Sequence, residues 1–202
     1  MKLFISSGAC SLSPHIVLRE AGLDFTTEKV DLRKKVTAGG ADYLAINPKG
    51  YVPALDLGNG VVLTEGPAIV QYIADQAPDK QLAPPLGSIE RYQLMGWLNF
   101  ISAEIHKPFG PLFAAGASED MKASASAALT KRFSYIEQAL EGRDYLMGAS
   151  FSVADAYLFT VANWAGIVHF DLAPYPRLRA LQARIGARPA VQQALRDEGL
   201  LA

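Results

Sequence analysis

Residues 77–88, APDKQLAPPLGS, separate two kinds of sequence. Three prolines and a glycine in so short a stretch break both helices and strands, so a linker is expected over residues 78–87. Before it, strand and helix periods alternate. KLFIS reads as a short strand, SPHIVLREAGL as a helix and FTTEKVDL as a second strand. Ser13 is the expected N-cap of that helix, Pro14 fits its first position, and Gly22 stops it. A strand–helix–strand unit favours parallel pairing with a right-handed crossover. A polar loop over residues 33–40 and a helical stretch over 42–46 come next. ALDL and VVL then flank Gly58-Asn59-Gly60, a strong hairpin signal, and Pro53 sits at a strand start. TEGPAIVQYIADQ closes the region as a helix with Pro67 in its first turn. The expected order is βαβαββα over residues 1–77.

After the linker no convincing strand appears. SIERYQLMGWLNFISAEIHKPFGPLF is a long helical pattern, bent or ended near Pro108 and Pro111. SEDMKASASAALTKRFSYIEQALEG is a second helix. SFSVADAYLFTVANWAG is a third, apolar enough to be buried on most sides. Ser152 and Asp155 form a capping-box pair at its start. The last pattern, YPRLRALQARIGARPAVQQALRDEGL, adds one or two helices. The fold class is therefore α/β plus all-α, with the helical domain over residues 88–202.

Half of the 202 residues are hydrophobic, enough for a substantial core, and the formal net charge is −1. That charge argues against a phosphate-neutralising nucleic-acid binder. No apolar run reaches membrane-spanning length and no signal-peptide pattern is present, so a cytoplasmic protein without a membrane partner is expected.

The single cysteine, Cys10, excludes an intrachain disulfide. It follows the first strand and precedes the first helix, where backbone N–H groups favour a thiolate. This is the thioredoxin-like placement, but the second cysteine of a Cys-x-x-Cys pair is replaced by Ser13. Any redox cycle then needs an outside thiol. Against this stands the common case of a lone cysteine as inert packing. Tyr51-Val52-Pro53 is a second clue. A cis proline beside the thiol leaves the preceding residue's backbone N–H and C=O open to an extended peptide, whereas a proline that merely starts a strand does not. Thr64-Glu65-Gly66-Pro67 is the third. Glu65 either favours the helix dipole or pairs with a ligand ammonium while free N–H groups take its carboxylate. Lys34 and Lys35 either neutralise a second carboxylate or stand solvated.

Together these pieces resemble the cytosolic glutathione S-transferases, most closely the bacterial beta class. The likeness rests on GACSLSPH, NPKGYVPAL, LTEGPAIVQYIAD, LNFISAEIHKPF and FSVADAYLF, and it spans essentially the whole chain. The resemblance implies a thioredoxin-like domain followed by a helical bundle, a homodimer, glutathione as co-substrate and no metal. It implies transfer of the glutathione thiolate to small hydrophobic electrophiles, as in detoxification. By position it places Cys10 and the adjoining Ala9 at the glutathione sulfur. Val52 pairs by backbone with the cysteinyl unit beside Tyr51 and a cis Pro53. Glu65 and the Gly66 N–H hold the γ-glutamyl end, and Lys35 the glycyl carboxylate. His106 faces the sulfur from the helical domain, and Asn99 and Glu104 act across the dimer. Phe109, Phe113 and Trp164 are expected at the electrophile. Many members carry serine where Gly66 stands, so one hydroxyl to the γ-glutamyl carboxylate is missing here. By helical spacing Asn99 and His106 share a face, while Glu104 points across from His106. Two rivals keep the fold: glutaredoxin-like thiol–disulfide exchange through Cys10, and a non-catalytic ligand-binding module.

Overall fold

The computed structural model describes residues 1–201. By its contacts the chain forms two compact units, Met1–Ala83 with the segment from Ala187 onward, and Pro84–Gly186.

The first unit is built on a five-stranded sheet of order β3-β2-β1-β4-β5. Its elements are β1 (Lys2–Ile5), α1 (Leu12–Ala21), β2 (Thr26–Asp31), β3 (Val36–Thr37), α2 (Tyr43–Ile46), β4 (Ala54–Asp56), β5 (Val62–Thr64) and α3 (Gly66–Gln76). β1 and β2 run parallel, joined through α1, and the other pairings are antiparallel. Leu3, Phe4 and Ile5 are all buried, as a central strand covered on both faces requires. Phe4, Val30, Tyr43, Val52 and Ala54 form one core cluster, which places the segment before β4 directly on the sheet. The hairpin pairs Ala54 with Thr64 and Asp56 with Val62, and Gly58 and Gly60 take the positive φ its turn demands, +83° and +86°.

Two details differ from the sequence reading. The lysine-containing loop includes the two-residue strand β3, too short to leave a period. α1 begins at Leu12, two residues earlier than Ser13-Pro14 suggested, with Ser11 at the N-cap and no side-chain cap bond. Ser13 is therefore inside the first turn, and Gly22 ends the helix in the left-handed region at φ 67°. The linker holds one 3₁₀ turn, Pro78–Lys80.

The second unit is all helical: α4 (Ile89–Phe100), α5 (Phe109–Phe113), α6 (Glu119–Ala139), α7 (Val153–Ala162), α8 (Trp164–Ile167) and α9 (Pro176–Gly186). Ser88 and Ser118 cap α4 and α6, accepting from the N–H groups of Arg91 and Met121 at 3.2 Å each. Every residue of α7 is buried, which makes it the bundle's central helix. The Ser152–Asp155 capping box is formed at its start. Asp155 accepts from the Ser152 N–H at 2.9 Å, the Ser152 hydroxyl at 2.7 Å and the Leu146 N–H at 2.8 Å. Burial nonetheless pushes its carboxyl up to about 6, outweighing these donors. Between α4 and α5 the chain is π-helical over Ile101–His106. The helix changes period there, several residues before the prolines at which the sequence placed the bend.

α10 (Pro189–Glu198) belongs by contact to the first unit, although the sequence division left it in the helical domain. The reason is local: it buries Val191, Ala194 and Glu198 and lies against α1. Arg188, just before it, makes a forked pair with Glu20 of α1 at 2.6 and 2.8 Å.

Candidate functional site

Cys10 lies in the loop between β1 and α1, partly exposed. Its Sγ donates to the Val52 carbonyl at 3.2 Å. The Val52–Pro53 peptide is cis. The first-strand loop and the segment before β4 thus meet at the thiol. Burial pushes the thiol up to about 11; the Cys10 N–H opposes this, the Glu65 carboxylate adds to the rise and the Ser11 N–H opposes it. The helix start does favour the thiolate, as the sequence suggested, but desolvation wins. At neutral pH Cys10 is a thiol and a hydrogen-bond donor.

The segment from Asn47 to Pro53 is held by side chains. Lys35 Nζ donates to the Gly50 carbonyl at 2.9 Å. Tyr43 Oη and Asn47 Nδ2 both donate to the Tyr51 carbonyl, each at 2.7 Å. With Cys10 on Val52, three consecutive carbonyls each receive a side-chain donor. Lys35 itself has φ 57°, and its ammonium stands 5.9 Å from the Tyr51 ring centre. One of its three N–H groups is committed to Gly50, which leaves two for an anion. Ala9 packs against the core cluster beneath this segment.

α3 begins at Gly66, with Glu65 at the N-cap in a strained conformation, φ 69° and ψ 112°. The Glu65 side chain makes no cap bond; it pairs with Lys49 Nζ at 2.6 Å, and Lys49 also reaches Thr64 Oγ1 at 3.0 Å. First-turn N–H groups have no intrahelical acceptor, and Pro67 has no N–H, so the Gly66 N–H is left without an intrahelical partner at this end.

A second tie reaches the thiol loop from α10. Glu198 is buried, accepting from the Gly8 N–H at 2.9 Å through one oxygen and lying 2.9 Å from His15 Nδ1 through the other. His15, which the sequence left without a role, thereby joins α1 to α10.

In the helical unit His106 lies 2.7 Å from the Tyr157 hydroxyl through Nδ1 and edge-on to Trp164, ring centres 4.8 Å apart. Burial holds its pKa below the ordinary histidine value, so it is neutral at pH 7. Trp164 in turn contacts Phe109 and Phe113, each at 5.6 Å. The three aromatics named for the electrophile therefore do cluster with His106. Only Phe113 offers its ring to solvent, at 47% exposure; Phe109 is fully buried and backs Trp164. Glu104 is held by Arg132 of α6, Nε at 2.6 Å, and Asn99 is exposed. The expected shared face of Asn99 and His106 does not follow, because the π-helical stretch between them breaks the 3.6-residue period. A groove of about 1050 Å³ lies along α4 and α6, lined by Trp97, Phe100, Tyr135 and Arg132 among others. It shares no residue with the His106 cluster. Among the described residues no group of three or more His, Cys, Asp or Glu is placed to hold a metal, and no helix is long and apolar enough to cross a membrane.

A mixed sheet whose thiol, cis proline and uncapped helix start converge, followed by a helical bundle, defines a thioredoxin-like protein with an appended all-α domain. Two family models match it: the glutathione S-transferase N-terminal domain over residues 8–76 and the C-terminal domain over 99–189. Glutathione S-transferase GstA of Escherichia coli O157:H7 is 50% identical, aligned over 99% of this chain and 100% of its own. The solved ternary complex of BphK, a bacterial GST, is 57% identical with a TM-score of 0.98, covering 99% of this chain and 100% of that one. A bacterial beta class glutathione S-transferase from Sphingomonas chungbukensis is 49% identical with a TM-score of 0.96, both chains covered in full. The chain belongs to the glutathione S-transferase family, an enzyme family whose co-substrate is glutathione.

The sequence missed Tyr43, Asn47, Lys49, Tyr157 and Glu198. Asn47 and Lys49 stand inside NPKGYVPAL, but their partners are set by a turn that no period records. Glu198 ends an amphipathic helix, where a carboxylate reads as solvated.

Proposed function

We propose that the Cys10 edge of the first unit binds glutathione and that the enzyme conjugates it to small hydrophobic electrophiles. The observation that carries this is the meeting of the Cys10 thiol with the Val52 carbonyl beside an uncapped helix start at Glu65–Gly66. In the bound state the cysteinyl unit pairs with the Val52 backbone. Glu65 takes the α-ammonium, exchanging it for Lys49, and the Gly66 N–H takes the adjoining carboxylate. Lys35 takes the glycyl carboxylate. The glutathione sulfur lies by Cys10 and Ala9, and the Cys10 S–H, a donor at neutral pH, stabilises the bound thiolate. That thiolate attacks the carbon bearing a leaving group such as halide: the C–S bond forms, the C–halide bond breaks, and the thiol proton passes to solvent. His106 is assigned to the reaction by resemblance, as a neutral imidazole fixed by Tyr157. The resemblance assigns Phe113, whose ring is exposed, to the electrophile, with Trp164 and Phe109 packed behind it. The enzyme works as a cytoplasmic homodimer, to which Asn99 and Glu104 contribute.

Calorimetric titration with glutathione tests the site. Wild type binds, and Glu65→Ala loses about tenfold or more in affinity, the scale of a charge-assisted contact. Equal affinity in the variant would remove Glu65 from the site. Cys10→Ser separates the reactions: conjugation of a chloronitrobenzene persists and reduction of a mixed disulfide is lost. Loss of both would make Cys10 essential to transfer as well.

A further inference from the structure

We propose that Tyr43 and Asn47 are positioning residues, which together aim the Val52 N–H at the bound peptide. The proposal rests on the glutathione-site reading above. The Tyr51 carbonyl and the Val52 N–H are the two ends of one planar peptide unit, and in a trans peptide they point in opposite directions. The cis bond in this segment is the next one, Val52–Pro53. Fixing the carbonyl therefore fixes the direction of the N–H. Two donors fix it, Tyr43 Oη and Asn47 Nδ2, each at 2.7 Å. Both residues are buried, at 0% and 3% exposure.

The donors are themselves anchored. Tyr43 packs its ring against Phe4, centres 5.6 Å apart, and its N–H donates to the Lys35 carbonyl at 2.8 Å. The Asn47 N–H donates to the Tyr43 carbonyl at 2.8 Å, and the Asn47 carbonyl accepts from the Gly50 N–H at 2.8 Å. The turn is thus closed by backbone bonds before the two side chains reach Tyr51. Their bonds to its carbonyl go beyond what closing the turn requires. Among the described residues the Val52 N–H has no partner, and Pro53 has no N–H, so Val52 carries the last free backbone donor ahead of β4. A carbonyl that accepts two bonds also polarises its own peptide, which strengthens the N–H at the other end as a donor.

The test compares two ligands on three proteins. Glutathione has the cysteinyl carbonyl that the Val52 N–H would serve; γ-glutamylcysteamine keeps the γ-glutamyl group and the thiol but lacks that carbonyl and the glycine beyond it, and Lys35→Ala, measured alongside, gives the part of the difference that belongs to the glycyl carboxylate. Tyr43→Phe removes one oxygen and keeps the ring, and Asn47→Ala removes the other donor. Each variant is expected to bind glutathione about three- to tenfold more weakly, the range of one hydrogen bond. KM for glutathione rises with it, and kcat at saturation stays within about twofold. Affinity for γ-glutamylcysteamine stays within about twofold. Equal weakening for both ligands would mean general loosening of the turn and overturns the proposal, as does unchanged glutathione affinity. Tyr43→Phe alone decides the matter where Asn47→Ala does not fold. A wild type that binds neither ligand overturns the site reading itself, and the proposal with it.

Discussion

The helix starts of this chain are of two kinds. α7 opens on a closed capping box in which one carboxylate takes three donors and the first turn is satisfied from within. α1 and α3 open without any side-chain cap. At α1 the Ser13 hydroxyl is buried with no hydrogen-bond partner among the described residues, and at α3 the Glu65 carboxylate turns away to Lys49. A closed start spends its N–H groups on stability; an open one keeps them for a thiol or a ligand. The starts of α1 and α3 are the uncapped ones beside Cys10 and the Val52 edge; α5, α8 and α10 also lack a side-chain cap, whereas Asp42, Ser88 and Ser118 cap α2, α4 and α6. The same physics, burial of an acid against N–H donors, pushes both Cys10 and Asp155 upward, to about 11 and about 6.

The largest way to break this contrast is Asp155→Ala. It leaves the Leu146 and Ser152 N–H groups unpaired inside the bundle, each costing about 1–3 kcal/mol. A total near 3 kcal/mol lowers Tm by about 6–12 °C in a chain of this size. Glutathione affinity in the folded variant stays at the wild-type value. A Tm within about 1 °C of wild type would show that the capping box is not a stability element. The pH dependence has a fixed sign. The Asp155 pKa is raised on folding, so its protonation favours the fold. That contribution is complete below about pH 4 and is lost as pH rises through about 6. The stability of wild type relative to Asp155→Asn therefore falls between pH 4 and 6 and is flat above pH 7, which denaturant titration at each pH measures.

Next in size is the reactivity of the open start. A thiol raised to about 11 has little thiolate at pH 7.5. Iodoacetamide is expected to alkylate ligand-free Cys10 about ten- to a hundredfold more slowly than an ordinary cysteine. The rate climbs through pH 9 and 10 without a plateau. A plateau below pH 8 would mean that the helix N–H groups outweigh burial after all, and would restore the nucleophilic reading of Cys10.

How much of this was legible from the residues varies with the kind of interaction. The β5–α3 segment and its hairpin follow from Gly58-Asn59-Gly60 and Pro67, because turn chemistry is local. The Ser152–Asp155 box is legible for the same reason. α1 starts two residues earlier than Ser13-Pro14 predicts: that pair imitates a cap signal, whereas Leu12 and Ser13 both lie buried inside the first turn. Cys10 was legible by position, but its protonation was not: helix-start charge is written in sequence, whereas desolvation depends on what folds over it. The capture of α10 by the first unit was invisible, since its apolar face reads the same whichever unit it covers.

Glu198→Gln tests the substitute for a cap at α1. The carboxylate of α10 serves Gly8 and His15 together, and the neutral amide keeps an acceptor for only one of them. A loss of about 1–2 kcal/mol is expected by denaturant titration, with a rise in the glutathione KM because Gly8 belongs to the thiol loop. A loss of stability with no change in KM would confine Glu198 to holding the helix and separate it from the site.

Gly66→Ser is the smallest change and the one that most sharpens the contrast, because it adds a hydroxyl to an open start. A Cβ at this position meets Pro53 Cγ at 3.8 Å, ordinary contact, and the backbone is not in the left-handed region, so the side chain enters without strain. Serine is also a better helix former than glycine. In the proposed site the hydroxyl would add a donor to the γ-glutamyl carboxylate beside the Gly66 N–H, and one added hydrogen bond is expected to tighten glutathione by about two- to fivefold. Gly66→Ala is the control: it gains the same Cβ and a larger helix propensity, so its Tm rises at least as much as that of Gly66→Ser while its affinity does not. If both variants tighten glutathione equally, the gain comes from ordering the first turn of α3 and not from a new donor. The open start would then be limited by its flexibility and not by its missing hydroxyl.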